Sequence, residues 1–509
     1  MIPGHATPEG TRRYHQTHAG LDFRALGQTG LTASQIGFGG YRVAQGIAAH
    51  RWALTEALLQ GINLIDTSTN YADGQSEALV GEVLAELIGG GRIARDEVVI
   101  VSKVGYLQGA NFELSQQRKA QGRPFPELVP YGQGLEHCLH PEFIADQLTR
   151  SLERLGLETL DVYLLHNPEY YLSWGQKKDI ALDTLRKEYY RRLKAAFRHL
   201  EREAEKGRLQ YYGVSSNTFP VPRENGQFTD LSQLDEIAAQ IAAESGKAHR
   251  FRVIQLPLNL LESGAALEPN QPGSQTCLSW AAARKIAVLV NRPLNAFDGR
   301  QLLRLADPEV RPQLSDDEIV SAIEAAAQSE KTFVQNLLPR LELSLSLTQR
   351  LSEQLGTADS LKQHWRDFGS YGHWRQVRDD LLMPRIRGVF DFLQSQEPEI
   401  EGLQGWLAQH PQTLTAAFEA VDSVYVGSLL RRLRALKQRL QAADPEWADA
   451  PSLSRMAVRA LRSTAGVSTV LVGMRQKAYV QEMIAELEHS ISAQDREDAW
   501  RMLAKGDGH

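Results

Sequence analysis

The sequence predicts an α/β fold, a (β/α)8 TIM barrel with an inserted all-helical subdomain. Three observations carry this reading. From about residue 34, short β-branched apolar runs alternate with stretches whose apolar residues recur every three or four positions, the signature of βα units around a parallel sheet. Eight such runs occur, SQIGFG, NLIDTS, EVVIVSK, LDVYLLH, LQYYGVSS, FRVIQLPLN, IAVLVNRPL and STVLVGM, and that number favours a closed barrel over an open doubly wound sheet. Finally, Gly37, Gly39 and Gly40 are followed by Tyr41, Arg42 and Val43, so the first strand lacks the G-x-G-x-x-G turn of a dinucleotide-binding open sheet.

Taken in order, residues 1–22 hold Arg12 and Arg13 without a following apolar stretch and read as a short flexible leader. His5, His15 and His18 are expected in a solvated tail rather than on a metal. RALGQTGLTASQ carries a Gly-containing turn and predicts a hairpin capping the N-terminal end of the barrel. Residues 23–297 make the first barrel part, with strands one to seven. Amphipathic segments such as SEALVGEVLAELI, EFIADQLTRSLERLG and DLSQLDEIAAQIAAE form its outer helices.

The rhythm breaks after Pro293, and residues 298–450 read as helical. Ser315 and Glu318 form a capping box. Leu414, Phe418, Val421, Tyr425, Leu429, Leu433, Leu436 and Leu440 keep helical spacing along one stripe. Arg431, Arg432, Arg434, Lys437 and Arg439 read as a solvated face, and Trp365, Trp374 and Trp406 as core. Residues 451–509 return the last helix–strand–helix and a tail. Expansions at 105–139 and 167–183 follow the third and fourth strands, so they and the helical insertion are expected at the C-terminal mouth, shaping one pocket.

Composition narrows the function classes. The chain has 509 residues, 42% hydrophobic and 23% charged, which excludes a fibrous or disordered protein. A net charge of −6 offers no general attraction to nucleic acid or to an anionic membrane. Two cysteines, Cys138 and Cys277, cannot build a disulfide framework, and no run of roughly 18 apolar residues is present. The expectation is a cytoplasmic protein acting on a small molecule, with no nucleic-acid or membrane partner.

Asp66, Lys103 and His166 stand at the ends of three successive strands, and Tyr71 follows Asp66 by five residues. In a barrel these four converge at the mouth. A phenol has an ordinary pKa near 10, so acid–base work at neutral pH needs an ammonium to stabilise the tyrosinate. Lys103 supplies that charge, Asp66 holds it, and His166 hydrogen-bonds a substrate carbonyl oxygen or assists the proton transfer. Each residue alone has an ordinary structural role. The D-x4-Y spacing together with the strand-end placement selects the functional reading. The strand ends supply no cluster of His and carboxylate ligands for a metal-dependent hydrolase.

RALGQTGLTASQIGFGGY, GINLIDTSTNYADGQSEALVGEVL, IVSKVG, LDVYLLHNPE and YYGVSSN together resemble the aldo-keto reductases. The resemblance covers residues 23 to about 297 and 451 to about 490. It implies an NADP(H)-dependent oxidoreductase acting on a small-molecule carbonyl or alcohol, with Tyr71 as proton donor, Asp66 and Lys103 tuning it, and His166 positioning substrate. It further implies that Ser216, Asn217 and Gln255 bind the nicotinamide carboxamide, that Gly473 admits the cofactor, that Arg475 pairs with the 2′-phosphate of NADP, and that Glu482 meets the adenine amino group. Arg292 is a candidate for a cofactor phosphate or an acidic substrate, with an ion pair as the alternative. Three positions depart from the family pattern: Asn291 replaces an aromatic residue that stacks on the nicotinamide, and Tyr479 and Met483 replace polar residues. These departures, with the insertion, motivate a second reading, a cofactor-binding scaffold or sensor whose helical insertion recruits a protein partner.

Overall fold

The computed structural model describes residues 1–298, 301–308, 312–395 and 400–505. The end of the expected tail, residues 506–509, lies outside the described residues, as do short pieces of the expected insertion. Residues 1–22 do not form a flexible leader. They contain helix α1 (Pro8–Thr17), opened by Thr7, whose side chain accepts from the Gly10 amide, with Pro8 at the first helical position. Tyr14 is buried and donates its hydroxyl to the Leu58 carbonyl. The Ala6 amide donates to Asp161 Oδ1 at 2.6 Å, and Arg13 pairs with Asp96 and Glu97. Burial of Tyr14 and Ala6 outweighs the entropy of ordering the segment. His15 stacks on Phe23 at 4.5 Å, and among the described residues no group of three or more His, Cys, Asp or Glu is arranged to hold a metal ion.

The predicted hairpin is present as β1 (Phe23–Ala25) and β2 (Thr32–Ser34), paired antiparallel. The barrel follows: β3 (Ile36–Gly39), α2 (Ala48–Leu59), β4 (Leu64–Asp66), α3 (Gln75–Gly89), β5 (Val99–Val104), β6 (Tyr106–Leu107), α4 (Gly109–Ala120), β7 (Val129–Gly132), β8 (Leu135–His137) and α5 (Pro141–Leu155). It continues with β9 (Leu160–His166), α6 (Tyr170–Gln176), α7 (Leu182–Glu205), β10 (Leu209–Ser215), α8 (Leu231–Ser245), β11 (Phe251–Pro257), α9 (Gly264–Leu267), α10 (Cys277–Ala283) and β12 (Ala287–Asn291).

After β12 come β13 (Asn295–Asp298), β14 (Gln301–Arg304), α11 (Asp316–Thr332), α12 (Leu345–Gln354), α13 (Thr357–His364), α14 (Tyr371–Gln376), α15 (Met383–Gln394) and α16 (Leu403–Ala443). The chain then returns through α17 (Pro445–Ala448), α18 (Leu453–Arg462), β15 (Thr469–Val472), α19 (Lys477–Leu487) and α20 (Glu497–Ala504). Eight strands close in the order β10-β11-β12-β15-β3-β4-β5-β9, the (β/α)8 barrel, and these are the eight runs read from the sequence. The expansion at 105–139 supplies β6, β7 and β8, a separate three-stranded sheet.

Two compact units result. One comprises residues 1–296 with the chain from Arg439 onward, and the other residues 297–438. The return point therefore lies inside α16, earlier than the expected 450, because the following segment buries Trp447 against Trp500 in the barrel unit, ring centroids 5.0 Å apart. The insertion is also not purely helical. It opens with the two-stranded β13–β14 sheet, where Ala296 and Leu303 are buried while their neighbours Phe297 and Leu302 are exposed, a period-two pattern too short to stand out in sequence. Within the helical unit, Ile323, Trp365, Trp374, Phe418 and Val421 form one apolar core, and Phe333, Leu393 and Trp406 a second. The Ser315–Glu318 capping box opens α11 as read.

Inside the barrel, Leu64, Val101, Leu164, Val253, Leu289 and Leu471 form one buried layer with Leu26, Leu31 and Ala33 of the hairpin region and Ala6 of the N-terminal segment. This layer sets the site. Strand side chains alternate faces with a period of two, so the residue two positions farther along each strand also points inward, toward the C-terminal mouth.

Candidate active site

Those next inward residues are Asp66, Lys103, His166, Gln255, Asn291 and, just beyond β15, Gly473. The register agrees: Asp66 pairs with Val101, Lys103 with Leu164, and His166 with Ser215, which in turn pairs with Gln255. Lys103 is fully buried, and its Nζ donates to Asp66 Oδ2 at 2.7 Å, to the Thr67 carbonyl at 2.8 Å and to Tyr71 Oη at 3.1 Å. Three acceptors satisfy all three N–H bonds of the ammonium. The same Nζ lies 4.6 Å from the centroid of the Tyr71 ring. Burial lowers the pKa of Lys103, but Asp66 and Tyr71 outweigh it and hold the group above its ordinary value. Burial raises Asp66, with Lys103 opposing, and burial also raises Tyr71, again with Lys103 opposing.

Tyr71 reaches the ammonium from a turn after β4. Ala72, Asp73 and Gly74 all take left-handed backbone conformations, with φ of 48°, 54° and 85°. Such values are costly for the two residues with a Cβ, and they cluster at functional sites where neighbours hold them. Here Asp73 accepts from the Ala110 amide at the start of α4, at 3.1 and 3.2 Å. Arg154, paired with Glu77, lies beneath Gly74, where an added Cβ would come within 3.1 Å of it.

His166 meets Tyr71 edge-on at 6.1 Å and Tyr106 at 4.7 Å. Burial first, then the charge of Lys103, pushes its pKa well below the ordinary value. Around it stands an aromatic wall that the sequence reading did not single out. Tyr106 comes from β6 and His137 from β8, and the His137 Nε2 lies 2.7 Å from the His166 carbonyl. Tyr131 of β7 stacks on Tyr170 of α6 at 4.2 Å. Tyr41, 59% exposed, packs edge-on against Tyr71 at 5.4 Å. The two smaller expansions thus do build the mouth, but their residues carry no periodicity that would identify them.

The expected cofactor residues are brought to the same end of the barrel with uneven availability. Gln255 is buried and donates through Nε2 to Asp66 Oδ1 at 2.8 Å, while its Oε1 accepts from Ser215. It braces the carboxylate that holds Lys103. Ser216 is also buried and donates to Glu169 Oε2 at 2.9 Å, and the Asn217 amide donates to Glu169 Oε1 at 2.9 Å. Asn217 itself is exposed. Glu169 is 3% exposed, and burial pushes its carboxyl up to about 7. It organises the turn after β10 and was missed although it lies in LDVYLLHNPE, because nothing local marks its partner.

Arg292, at φ 52°, pairs with Glu262 at 2.8 Å, which is its ion-pair alternative. Asn291 Oδ1 is buried and has no hydrogen-bond partner. A Cβ added at Gly473 would meet nothing within 4 Å, which leaves room at the end of β15. Arg475 follows it, close enough to His50 to lower that imidazole's pKa, although burial is the larger cause. Glu482 accepts from Ser452 and Ser454 at the start of α18, so it serves that helix terminus. A surface groove of about 620 Å³ lies between α2 and α3, lined by Gln45, Arg51, Gln75 and Glu82. It contains none of these residues.

The model of the aldo/keto reductase family matches residues 35–263. The chain is 31% identical over 152 residues to an NADH-specific methylglyoxal reductase of Escherichia coli (strain K12), covering 28% of this chain and 40% of that protein. It is 26% identical over 333 residues to an aldo-keto reductase of Alternaria alternata, covering 56% and 89%. Against the methylglyoxal reductase and an L-galactose dehydrogenase of Arabidopsis thaliana, the aligned chain spans only 40% and 43% of the relative's length. Among solved structures, a glycerol dehydrogenase from Gluconobacter oxydans aligns with a TM-score of 0.46 and 16% identity over 96% of both chains. An aldo/keto reductase from Klebsiella pneumoniae in complex with NADP and acetate aligns with a TM-score of 0.32 and 20% identity, over 53% of this chain and 67% of that one.

Proposed function

We propose that this chain, whose residues 35–263 match the aldo/keto reductase family model, is an NADP(H)-dependent oxidoreductase transferring hydride between the nicotinamide and a carbonyl or alcohol substrate. The observation that carries this reading is one buried ammonium, Lys103 Nζ, shared between Asp66 Oδ2 and Tyr71 Oη. That arrangement serves a phenol that must give up and regain a proton.

The residues present fit the cofactor. The sealed, unpartnered acceptor Asn291 Oδ1 suits the N–H of a carboxamide, in place of the aromatic stacking the family uses there. Open space at Gly473 and the Arg475 guanidinium suit an approaching phosphate. We assign Asn217, Asn291, Gly473 and Arg475 to direct contact, and Ser216 and Gln255 to holding that contact surface in place. When bound, the cofactor supplies the hydride that forms the new C–H bond at the carbonyl carbon. Tyr71 gives its phenolic proton to the carbonyl oxygen, completing the alcohol. Lys103 faces the resulting tyrosinate and Asp66 keeps the ammonium oriented. In the oxidative direction Tyr71 takes the alcohol proton as hydride leaves.

The test is loss of NADPH absorbance across a panel of aldehydes and ketones, with cofactor binding followed by fluorescence. Tyr71→Phe is expected to lower kcat by about 10²–10⁴-fold with NADPH affinity unchanged. Full turnover by that variant would overturn the assignment.

A further inference from the structure

Glu169, in the turn between β9 and α6, carries a carboxyl that the proposed reaction does not use. It is 3% exposed, and among the described residues no lysine, arginine or histidine pairs with it. The ionisable groups around it are Tyr106 of β6, Tyr170 of α6 and Tyr189 of α7, phenols that burial holds above their ordinary values, so none supplies a positive charge. Both carboxyl oxygens are tied to the turn after β10: Oε1 accepts from the Asn217 amide and Oε2 from the Ser216 hydroxyl, each at 2.9 Å. Ser216 Oγ lies 3.1 Å from Thr218 Oγ1 and 3.3 Å from Thr229 Oγ1, and the Thr218 amide donates to it. The Asn217 donor is a backbone N–H, so Oε1 is an acceptor in either charge state. A proton taken up by the carboxyl therefore sits on Oε2 and points at Ser216 Oγ, while the serine hydroxyl rotates its own proton to Thr218 or Thr229. The contact survives and the negative charge does not.

We infer that the Glu169 carboxyl, gaining and losing a proton behind Ser216 and Asn217, is a removable negative charge that sets which redox form of the nicotinamide the mouth prefers. The inference deepens the reductase reading and rests on it, because it needs Asn217 at the carboxamide. An oxidised nicotinamide ring carries a positive charge and a reduced ring none. The ionised carboxyl therefore favours the oxidised form by Coulomb attraction, and protonation removes that preference. Burial pushes the carboxyl up to about 7, which places the exchange near neutral pH. By reciprocity the oxidised form lowers the proton affinity of Glu169, so it binds with release of a proton that the reduced form does not displace.

The charge is read first without cofactor, by carbon NMR of the full chain labelled at its glutamate carboxyls, with Glu169 assigned by the signal lost in Glu169→Gln. A titration near neutral pH is expected, and a carboxyl that stays ionised across the neutral range would overturn the proposal. The preference is read from the dissociation constants of NADP+ and NADPH at about pH 6 and about pH 8. Their ratio cancels the titration of the 2′-phosphate, which both forms share. From the lower to the higher pH, NADP+ is expected to gain about tenfold on NADPH, the order of one charge pair in a partly buried site. Glu169→Gln reproduces the protonated carboxyl, with an oxygen for Asn217 and an N–H for Ser216, and is expected to hold the ratio at its low-pH value. An unchanging ratio in the unaltered protein, or the same pH dependence in Glu169→Gln, rejects the role given to the charge. Should that variant fail to fold, the unaltered protein decides by the protons released to an indicator dye: NADP+ is expected to release more than NADPH, and equal release rejects the proposal. If neither form binds at any pH, the reductase reading falls and takes the proposal with it, whereas binding of both at a fixed ratio overturns the proposal alone.

Discussion

The two ends of the barrel are built from the same strands and do opposite things. At the N-terminal end, Leu64, Val101, Leu164, Val253, Leu289 and Leu471 close against the hairpin region in an apolar layer. Two residues farther along each path, a rise of about 6–7 Å, stand Asp66, Lys103, His166, Gln255, Asn291 and Gly473. Non-glycine residues in left-handed conformations, Arg42, Ala72, Asp73, Asn167 and Arg292, also follow the inward ends of barrel strands. The apolar layer and the candidate site are therefore separated along the barrel axis by one inward layer. The inward layer at the N-terminal end is apolar, and the mouth keeps buried charge and strained backbone because its neighbours compensate them.

Substitutions at the two ends should separate these roles. The largest effect is expected for Lys103→Met, which leaves the Asp66 carboxylate buried without its partner. Destabilisation of about 3–5 kcal/mol in urea unfolding should accompany loss of turnover by at least about 10²-fold. A variant that keeps its stability would show that Asp66 is neutral and the pair is not ionic. Leu289→Ala, on the neighbouring layer, should cost about 2–5 kcal/mol but leave the kcat of the folded fraction unchanged. A large fall in kcat there would break the separation between the ends.

Glu169 sharpens the comparison through pH. Its folded pKa, about 7, lies above the ordinary 4.5, so between these values the folded state binds the extra proton. Its contribution to stability is fully present below about pH 4.5 and is lost as pH rises through about 7. The stability difference between the unaltered protein and Glu169→Gln should fall by about 3 kcal/mol across that window, a subtraction that cancels other titrating groups. A flat difference would mean that the bonds from Ser216 and Asn217 outweigh burial. The smallest effect is expected at Ala72, where Ala72→Gly relieves a left-handed φ and should stabilise by about 1 kcal/mol, read as a rise in Tm. Lower stability would show that the Ala72 side chain contributes more than its strain costs.

Much of the mouth was legible because period two is a local property. Once the eight runs are taken as strands of one barrel, the inward positions of Asp66, Lys103, His166, Gln255 and Asn291 follow by counting, and the D-x4-Y spacing adds Tyr71. The folded N-terminal segment was not legible. The partner of Tyr14 is the Leu58 carbonyl, 44 residues away, and no local pattern reports such a contact. Gln255, Ser216, Arg292 and Glu482 show the same limit from the other side. Their polar character suited cofactor binding, but Asp66, Glu169, Glu262 and the Ser452–Ser454 pair hold them, and each pairing joins segments distant in the chain.

What the sequence by itself determined is the strand count and the strand-end placement of the four candidate groups, since these depend on residue type and short-range spacing. The tertiary structure alone decided which polar groups are already spoken for and where the helical unit leaves and rejoins the barrel. Those depend on which donor faces which acceptor across the fold. A hydrogen bond has a direction, and spacing along the chain does not encode it.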